Sequence, residues 1–267
     1  MTTNRIPPDA FEGGAPMLNV SLNRAARTGE RTQDEQLLVR STGPEAAHLA
    51  GDPWRVLRIQ GEFVHGFDAL ADLGAAVTIF GSARISQTDR HYHLAVDIAR
   101  KLGLEGFSII TGGGPGIMEA ANLGAQQAGV RSVGCAIELP SEQMVNPYVD
   151  ITINFRYFFV RKTMFVKYAE GFVIFPGGYG TLDELFEALT LIQTEKLHHF
   201  PIVLVGKDYW QGLMDWLKAT VAGEGKIDAS DLALISCCDD ADEVVEIIKQ
   251  CYFEKCANES QPRATGK

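Results

Sequence analysis

The sequence predicts an α/β fold: a single Rossmann-like, doubly wound parallel sheet with helices on both faces. Three observations predict it. From residue 53 onward, short apolar runs rich in Val, Ile and Phe alternate with segments of helical period, the pattern of a parallel sheet covered on both sides. The chain has 267 residues and is 46% hydrophobic, enough for one large domain with a substantial core. Glycine-rich stretches stand where strands give way to helices, which is where such sheets hold ligands.

The elements follow in order. Residues 1–50 are polar and without a sustained period, so they are expected to be a disordered tail whose removal leaves folding and turnover nearly intact. Residues 51–256 are expected to form one Rossmann-like domain, and 257–267 a frayed C-terminal tail. The stretch 53–74 carries Val56, Leu57, Ile59, Phe63, Phe67 and Leu70 at helical spacing. Strands are expected at 76–80, 107–111, 132–137, 151–155, 172–175 and 201–205, with a short one at 232–236. The intervening helices are expected at 89–102, 116–128, 158–169, 182–194, 209–222 and 241–251.

Composition narrows the function. A net charge of −10 argues against non-specific binding to nucleic acid or to an anionic membrane. No apolar run approaches the roughly 20 residues that span a bilayer, and the first residues lack the basic and apolar regions of a secretory signal. Cys135, Cys237, Cys238, Cys251 and Cys256 make no C-x-x-C pair, so they read as reduced thiols of a cytoplasmic protein. His91, His93, His198 and His199 fit no helical metal spacing, and no metal is expected.

Four strand ends carry unusual loops: Gly81-Ser82-Ala83-Arg84, Thr111-Gly112-Gly113-Gly114-Pro115-Gly116, Asn154-Phe155-Arg156-Tyr157 leading to Arg161-Lys162, and Pro176-Gly177-Gly178-Tyr179-Gly180-Thr181. A glycine-rich strand-to-helix turn lets backbone N–H groups close on an anion at the positive end of a helix. Two such turns on one rim predict a nucleotide or sugar-phosphate ligand. There is no G-x-x-x-x-G-K-[ST]. The run at 112–116 reads G-x-G-x-G rather than G-x-G-x-x-G, though Glu138 beyond the next strand leaves a dinucleotide open. Thr181-Leu182-Asp183-Glu184 also reads as a capping box, with Glu184 bonding back to the backbone of Thr181.

The run "RKTMFVKYAEGFVIFPGGYGTLDE", Arg161 to Glu184, resembles the Lonely Guy (LOG) family of cytokinin riboside 5′-monophosphate phosphoribohydrolases, long mislabelled "lysine decarboxylases". The family pattern is an Arg-Lys pair, a strand, then P-G-G-x-G-T-x-x-E. It is matched by Arg161, Lys162, Pro176, Gly177, Gly178, Gly180, Thr181 and Glu184, and the resemblance covers about residues 75–250. The sequence GGGPGIMEAAN is one residue shorter than the corresponding stretch of the short members. With Gly81-Ser82-Ala83-Arg84 and the N-terminal extension, it is similar to the longer branch and its nucleotide nucleosidase relatives.

The resemblance implies hydrolysis of the N-glycosidic bond of AMP or an N6-modified AMP, without a cofactor, in a homodimer or larger assembly. It implies Arg161 and Glu184 as catalytic. Gly177, Gly178, Gly180 and Thr181 would hold the phosphate through backbone N–H groups. Ser82, Arg84, Gly113 and Met118 would line the nucleotide pocket, with Gly81, Gly114 and Lys162 as further binding residues. Glu184 would stabilise the ribosyl cation or take a proton from water, its pKa lowered by the helix N-terminus so that it stays ionised. Residues 139–143 and Asn146 would form a flap. Phe158, Phe159, Phe165 and Tyr168 read as core or subunit contact rather than base-stacking groups. The alternatives are a broader purine/pyrimidine nucleotide nucleosidase, a non-catalytic nucleotide-binding module of the same fold, or a pyridoxal phosphate decarboxylase, for which Lys162 would be the lysine.

Overall fold

A computed structural model describes residues 32–38, 52–139 and 145–259. After a short helix α1 (Gln33–Leu38) and a long helix α2 (Asp52–Leu70), strands and helices alternate: β1 (Ala76–Phe80), α3 (Arg90–Leu104), β2 (Ser108–Thr111), α4 (Ile117–Ala128), β3 (Ser132–Ile137), β4 (Ile151–Phe155), α5 (Phe158–Lys167), β5 (Phe172–Ile174), α6 (Tyr179–Gln193), β6 (Ile202–Val205), α7 (Lys207–Trp216), β7 (Ile235–Cys238) and α8 (Ala241–Glu259). The seven strands form one sheet in the order β4-β3-β2-β1-β5-β6-β7, and every pairing is parallel.

Four interior strands, β2, β1, β5 and β6, are buried at every position. Strands covered on both faces must be apolar on both, which is why they read as continuous apolar runs rather than alternating ones. Successive side chains still diverge to opposite layers. Phe80, Ile174 and Leu204 pack on one face with Tyr157, Val160, Phe165 and Leu185. Val77, Ile79, Val173 and Val203 pack on the other with Ile98, Leu102, Ile117 and Val244. Edge strand β4 alternates instead, with Ile153 and Phe155 buried and Thr152 and Asn154 exposed.

The chain builds outward from β1 to β4, then crosses back to place β5 on the other side of β1. The topological switch therefore lies between β1 and β5, and the loops after these two strands face each other across it. Both are among the glycine-rich turns singled out in the sequence.

Three elements depart from expectation. Helix α1 lies inside the stretch 1–50 that was expected to be disordered; 1–31 and 39–50 lie outside the described residues. Helix α8 runs through Glu259, past the expected frayed boundary at 257. Helix α6 begins at Tyr179 rather than Leu182.

Candidate active site

The β1, β2 and β5 loops are tied together by main chain alone. The Phe175 N–H donates to the Phe80 carbonyl at 2.9 Å, Ser82 N–H to the Pro176 carbonyl at 2.9 Å, and Ile117 N–H to the Ser82 carbonyl at 3.1 Å. Glycines permit this closeness. A Cβ on Gly81 would lie 2.7 Å from Ile117, and Gly116, at φ +69°, has no room for one against Ser82 and Ala83. The result is a cleft of about 640 Å³ at the carboxyl ends of the strands.

Its lining includes Gly81, Ser82, Arg84, Met118, Arg161, Gly178, Gly180, Thr181 and Glu184, all singled out in the sequence. Gly113, Gly114, Gly177 and Lys162 are not part of the wall. Gly113 and Gly114 are buried, and their carbonyls accept from Asn146 Nδ2 at 3.1 and 3.0 Å. Asn146 is thus not a flap residue. It is buried and staples the glycine turn from below, its amide also donating to Asn122 at 2.9 Å. Leu139 does line the cleft, while 140–143 lie outside the described residues. Gly177 lacks a Cβ because Thr181 packs directly against it.

Lys162 turns to helix α6, where its amine bridges Asp183 at 3.0 Å and Glu187 at 2.8 Å. Burial alone would lower its pKa, but the bonds to Glu187 and Asp183 raise it. A protonated amine held by two carboxylates is unsuited to Schiff-base chemistry.

Arg161 sits in the first turn of α5 and lines the cleft. Its guanidinium lies over the Phe165 ring, 4.9 Å from the centroid, and its buried Nε has no hydrogen-bond partner. Burial pulls its pKa below the usual arginine value, and the Glu184 carboxylate opposes this. Gly112 makes the arrangement possible. A Cβ there would lie 2.8 Å from Arg161 Nη2 and 2.8 Å from Met118 Sδ. The sequence marked Gly112 only as part of a turn; its service to Arg161 had no sequence signal. Tyr179, Asp183, Phe158 and Ile137 are further lining residues that the sequence reading left out.

Glu184 settles the capping question. Because α6 starts at Tyr179, Gly178 is its N-cap, no side chain caps it, and Glu184 falls in the second turn. Its carboxylate is 6% exposed, and Oε2 is buried without a partner. The expected lowering of its pKa is corrected. Burial raises it to about 7, against the opposing influence of Lys162 and then Arg161. The helix-end field fades within the first turn, so at this position desolvation wins. The helix start itself is open to the cleft: Gly178, Tyr179 and Gly180 are exposed. The first N–H groups of a helix have no intrahelical acceptor. That of Thr181, expected to face phosphate, already donates to the Gly178 carbonyl at 3.0 Å.

The site thus joins an open helix N-terminus, a buried guanidinium and a buried carboxyl titrating near neutrality. A family model described as "Possible lysine decarboxylase", the old label noted above, matches residues 118–248, which hold Arg161 and the glycine turn of α6. The match supports membership of the LOG family. Among curated relatives, a probable cytokinin riboside 5′-monophosphate phosphoribohydrolase of Oryza sativa subsp. japonica is 28% identical over 162 residues, covering 58% of this chain and 74% of the relative. A cytokinin riboside 5′-monophosphate phosphoribohydrolase of Arabidopsis thaliana is 25% identical over 180 residues, covering 65% and 81%. A pyrimidine/purine nucleotide 5′-monophosphate nucleosidase of Escherichia coli K12 is 32% identical over 159 residues, 54% of this chain but 35% of that protein. Among solved structures, the molybdenum cofactor carrier protein of Chlamydomonas reinhardtii shares the fold, with a TM-score of 0.50 and 20% identity over 67% of this chain and 98% of that one. A structural-genomics target does likewise, with a TM-score of 0.51 and 22% identity over 66% and 99%. Among the described residues no helix is long and apolar enough to cross a membrane.

Proposed function

We propose that this protein hydrolyses the N-glycosidic bond of a nucleoside 5′-monophosphate, AMP or an N6-modified AMP, giving free base and ribose 5-phosphate. The observation that carries the reading is Glu184: a buried carboxyl with an unpartnered oxygen, a pKa raised to about 7, on the wall of a cleft it shares with Arg161. At neutral pH half of such a group is ionised, and it is a far stronger base than an ordinary glutamate. In the reaction, water attacks C1′ of the ribose as the C1′–N bond breaks. The bond pair leaves with the base, Glu184 takes the proton of the attacking water, and the departing base is protonated. Carboxylate charge opposes the positive charge that develops on the ribose. Arg161 stays protonated, so its part is to orient and stabilise charge rather than to donate a proton.

The phosphate falls at the α6 N-terminus. A Cβ on Gly178 or Gly180 would meet nothing within 4 Å, so the fold itself does not demand glycine there. Gly178 is the N-cap, a position glycine suits better than alanine, but at Gly180, inside the helix, glycine costs roughly 0.5–1 kcal/mol relative to alanine, and the close approach of a ligand to the backbone would offset that cost. Of the acids that follow the glycine turn, Asp183 and Glu187 engage Lys162, and Glu184 is assigned to the sugar rather than the phosphate.

A second reading, a broader purine and pyrimidine nucleotide nucleosidase, is favoured by the Escherichia coli relative, which is more similar in identity than the two plant enzymes. A panel of nucleoside monophosphates and matching nucleosides, with released base followed by chromatography, tests both. AMP or its isopentenyl analogue is expected to be cleaved well and adenosine poorly. Equal rates on AMP and adenosine would remove the phosphate anchor, and binding without any cleavage would leave a non-catalytic module. The assembly is proposed to be a homodimer or larger. Trp54, Leu57 and Val64 form an exposed apolar stripe on α2, and light scattering at the mass of a single chain with full activity would contradict it.

A further inference from the structure

Helix α5 carries Arg161 in its first turn, yet it has no cap of its own: Tyr157 stands at the N-cap position, and its side chain makes no capping bond. The amides at its entrance are instead held by carboxylates from far earlier in the chain. Asp34 of α1 accepts from the Phe158 N–H at 3.1 Å across 124 positions of sequence. Glu62 of α2 accepts from the Arg156 N–H at 3.2 and 3.1 Å and also from the Tyr157 amide. Three consecutive backbone donors thus end on two carboxylates.

The two carboxylates are themselves held. Glu62 is 7% exposed and lies 3.6 Å from the Arg156 guanidinium. Helix α1 is tied at both ends. The Gln33 N–H donates to Glu138 at 3.2 Å, and Arg55 of α2 donates to the Gln36 carbonyl at 2.9 Å. Glu138 precedes Leu139, and Phe158 follows Tyr157; Leu139 and Phe158 both line the cleft.

We propose that Asp34 and Glu62 are positioning residues that cap helix α5 in trans of its own sequence and so fix where Arg161 stands in the cleft. Negative charge at a helix N-terminus is favourable, and here it reaches the helix whose guanidinium must be placed. Burial raises the pKa of both acids, while the bonds from Phe158 and Arg156 pull the other way, as expected of carboxylates held in a folded pocket by backbone donors. The proposal rests on reading this cleft as the substrate site, but its structural half does not.

The test uses the full chain with Asp34→Ala, Asp34→Asn and Glu62→Ala, alone and in an Arg161→Lys background. Hydrogen exchange is followed at the amides of residues 156–158. Asp34→Ala is expected to speed exchange at Phe158 about five- to tenfold, the loss of one N-cap bond. Asp34→Asn, which still accepts that bond, is expected to restore protection. In turnover of AMP, kcat is expected to fall about tenfold in Asp34→Ala, to return to within about twofold in Asp34→Asn, and to fall no further when Asp34→Ala is added to Arg161→Lys. Unchanged exchange at all three amides in Asp34→Ala and Glu62→Ala overturns the clamp, as does an undiminished kcat in both. If the unaltered protein cleaves no monophosphate, the functional reading fails and the exchange measurement alone decides the clamp. Asp34 is the more exposed of the pair, so its variants decide the matter should Glu62→Ala not fold.

Discussion

Among the described residues the sequence T-x-x-E occurs at Thr32–Glu35 and again at Thr181–Glu184, and these two copies do opposite things. In the first, Thr32 is the residue before α1. Its N–H donates to Glu35 Oε2 at 2.8 Å, and the Glu35 N–H donates to Thr32 Oγ1 at 3.3 Å, a closed capping box. In the second, the helix has already begun two residues before Thr181, at Tyr179. Thr181 then lies inside the first turn, packed on Gly177, and Glu184 is carried a turn deeper into the cleft wall. A shift of a few residues in where a helix starts turns a local fastener into a buried acid with an unpartnered oxygen. The same four-residue pattern stabilises one helix and, in the other, leaves a carboxylate desolvated.

The largest expected difference is in rate. Glu184→Gln keeps the shape but can neither take a proton nor oppose a ribosyl cation, and should cost roughly 10²-fold or more in kcat. Glu35→Gln, the matching change in the closed box, should leave kcat within about twofold, since glutamine serves at this position of a capping box. Steady-state turnover of AMP by the two variants breaks the comparison if they behave alike. Arg161→Lys should fall only somewhat short of Glu184→Gln, about 10- to 10²-fold, because an ammonium does not reproduce the planar donor fork. A wild-type rate in that variant would detach Arg161 from the chemistry.

Stability should part the two sites in a pH-dependent way. The folded-state pKa of Glu184 is raised from 4.5 to about 7, so the folded state holds this proton more tightly than the unfolded chain. The contribution is present in full below about pH 4.5 and is lost as pH rises through about 7. Glu184→Gln never ionises, so it should match wild type near pH 4.5 and exceed it above pH 7.5 by on the order of 2 kcal/mol. Denaturant melts across this range check it, and a variant less stable than wild type at alkaline pH would refute the buried-acid account. The smallest effect belongs to Glu35→Ala, which opens the capping box of α1 and should cost about 0.5–1 kcal/mol, confined to that helix, with exchange faster in its amides and unaltered in α6.

What the sequence made legible follows the same division. The central strands were plain because two-sided burial forces continuous apolar runs, as in Ile202–Val205. The cleft was legible as a set of turns, since glycines at 81, 112, 178 and 180 stand where strands end. The start of α6 was not, because the competition between Gly178 and Thr181 as first cap is decided by the Pro176 turn and its bond from Ser82, a contact between loops remote in sequence. Lys162 looked like a ligand group until the fold placed two acids of α6 against it. Helix α1 was invisible because six residues in a polar stretch carry no period; its docking rests on single bonds to Glu138, Phe158 and Arg55. Residues whose role lies in what they omit, such as Gly112 beneath Arg161, have no signature until the neighbour is known.

The tie from Phe175 to Phe80, from Ser82 to Pro176 and from Ile117 to Ser82 has a consequence for descent as well as for shape. Each bond joins one backbone to another, so the frame of the cleft is blind to the side chains mounted on it. Ser82, Ala83 and Arg84 can be exchanged for other residues without loosening a single tie, whereas Gly81 and Gly116, pressed against Ile117 and Ser82, cannot. Under the proposed function, a lineage inheriting this frame is free to change the side chains that meet the ligand while the backbone that places Arg161 and Glu184 stays where it is, with no rebuilding of the fold.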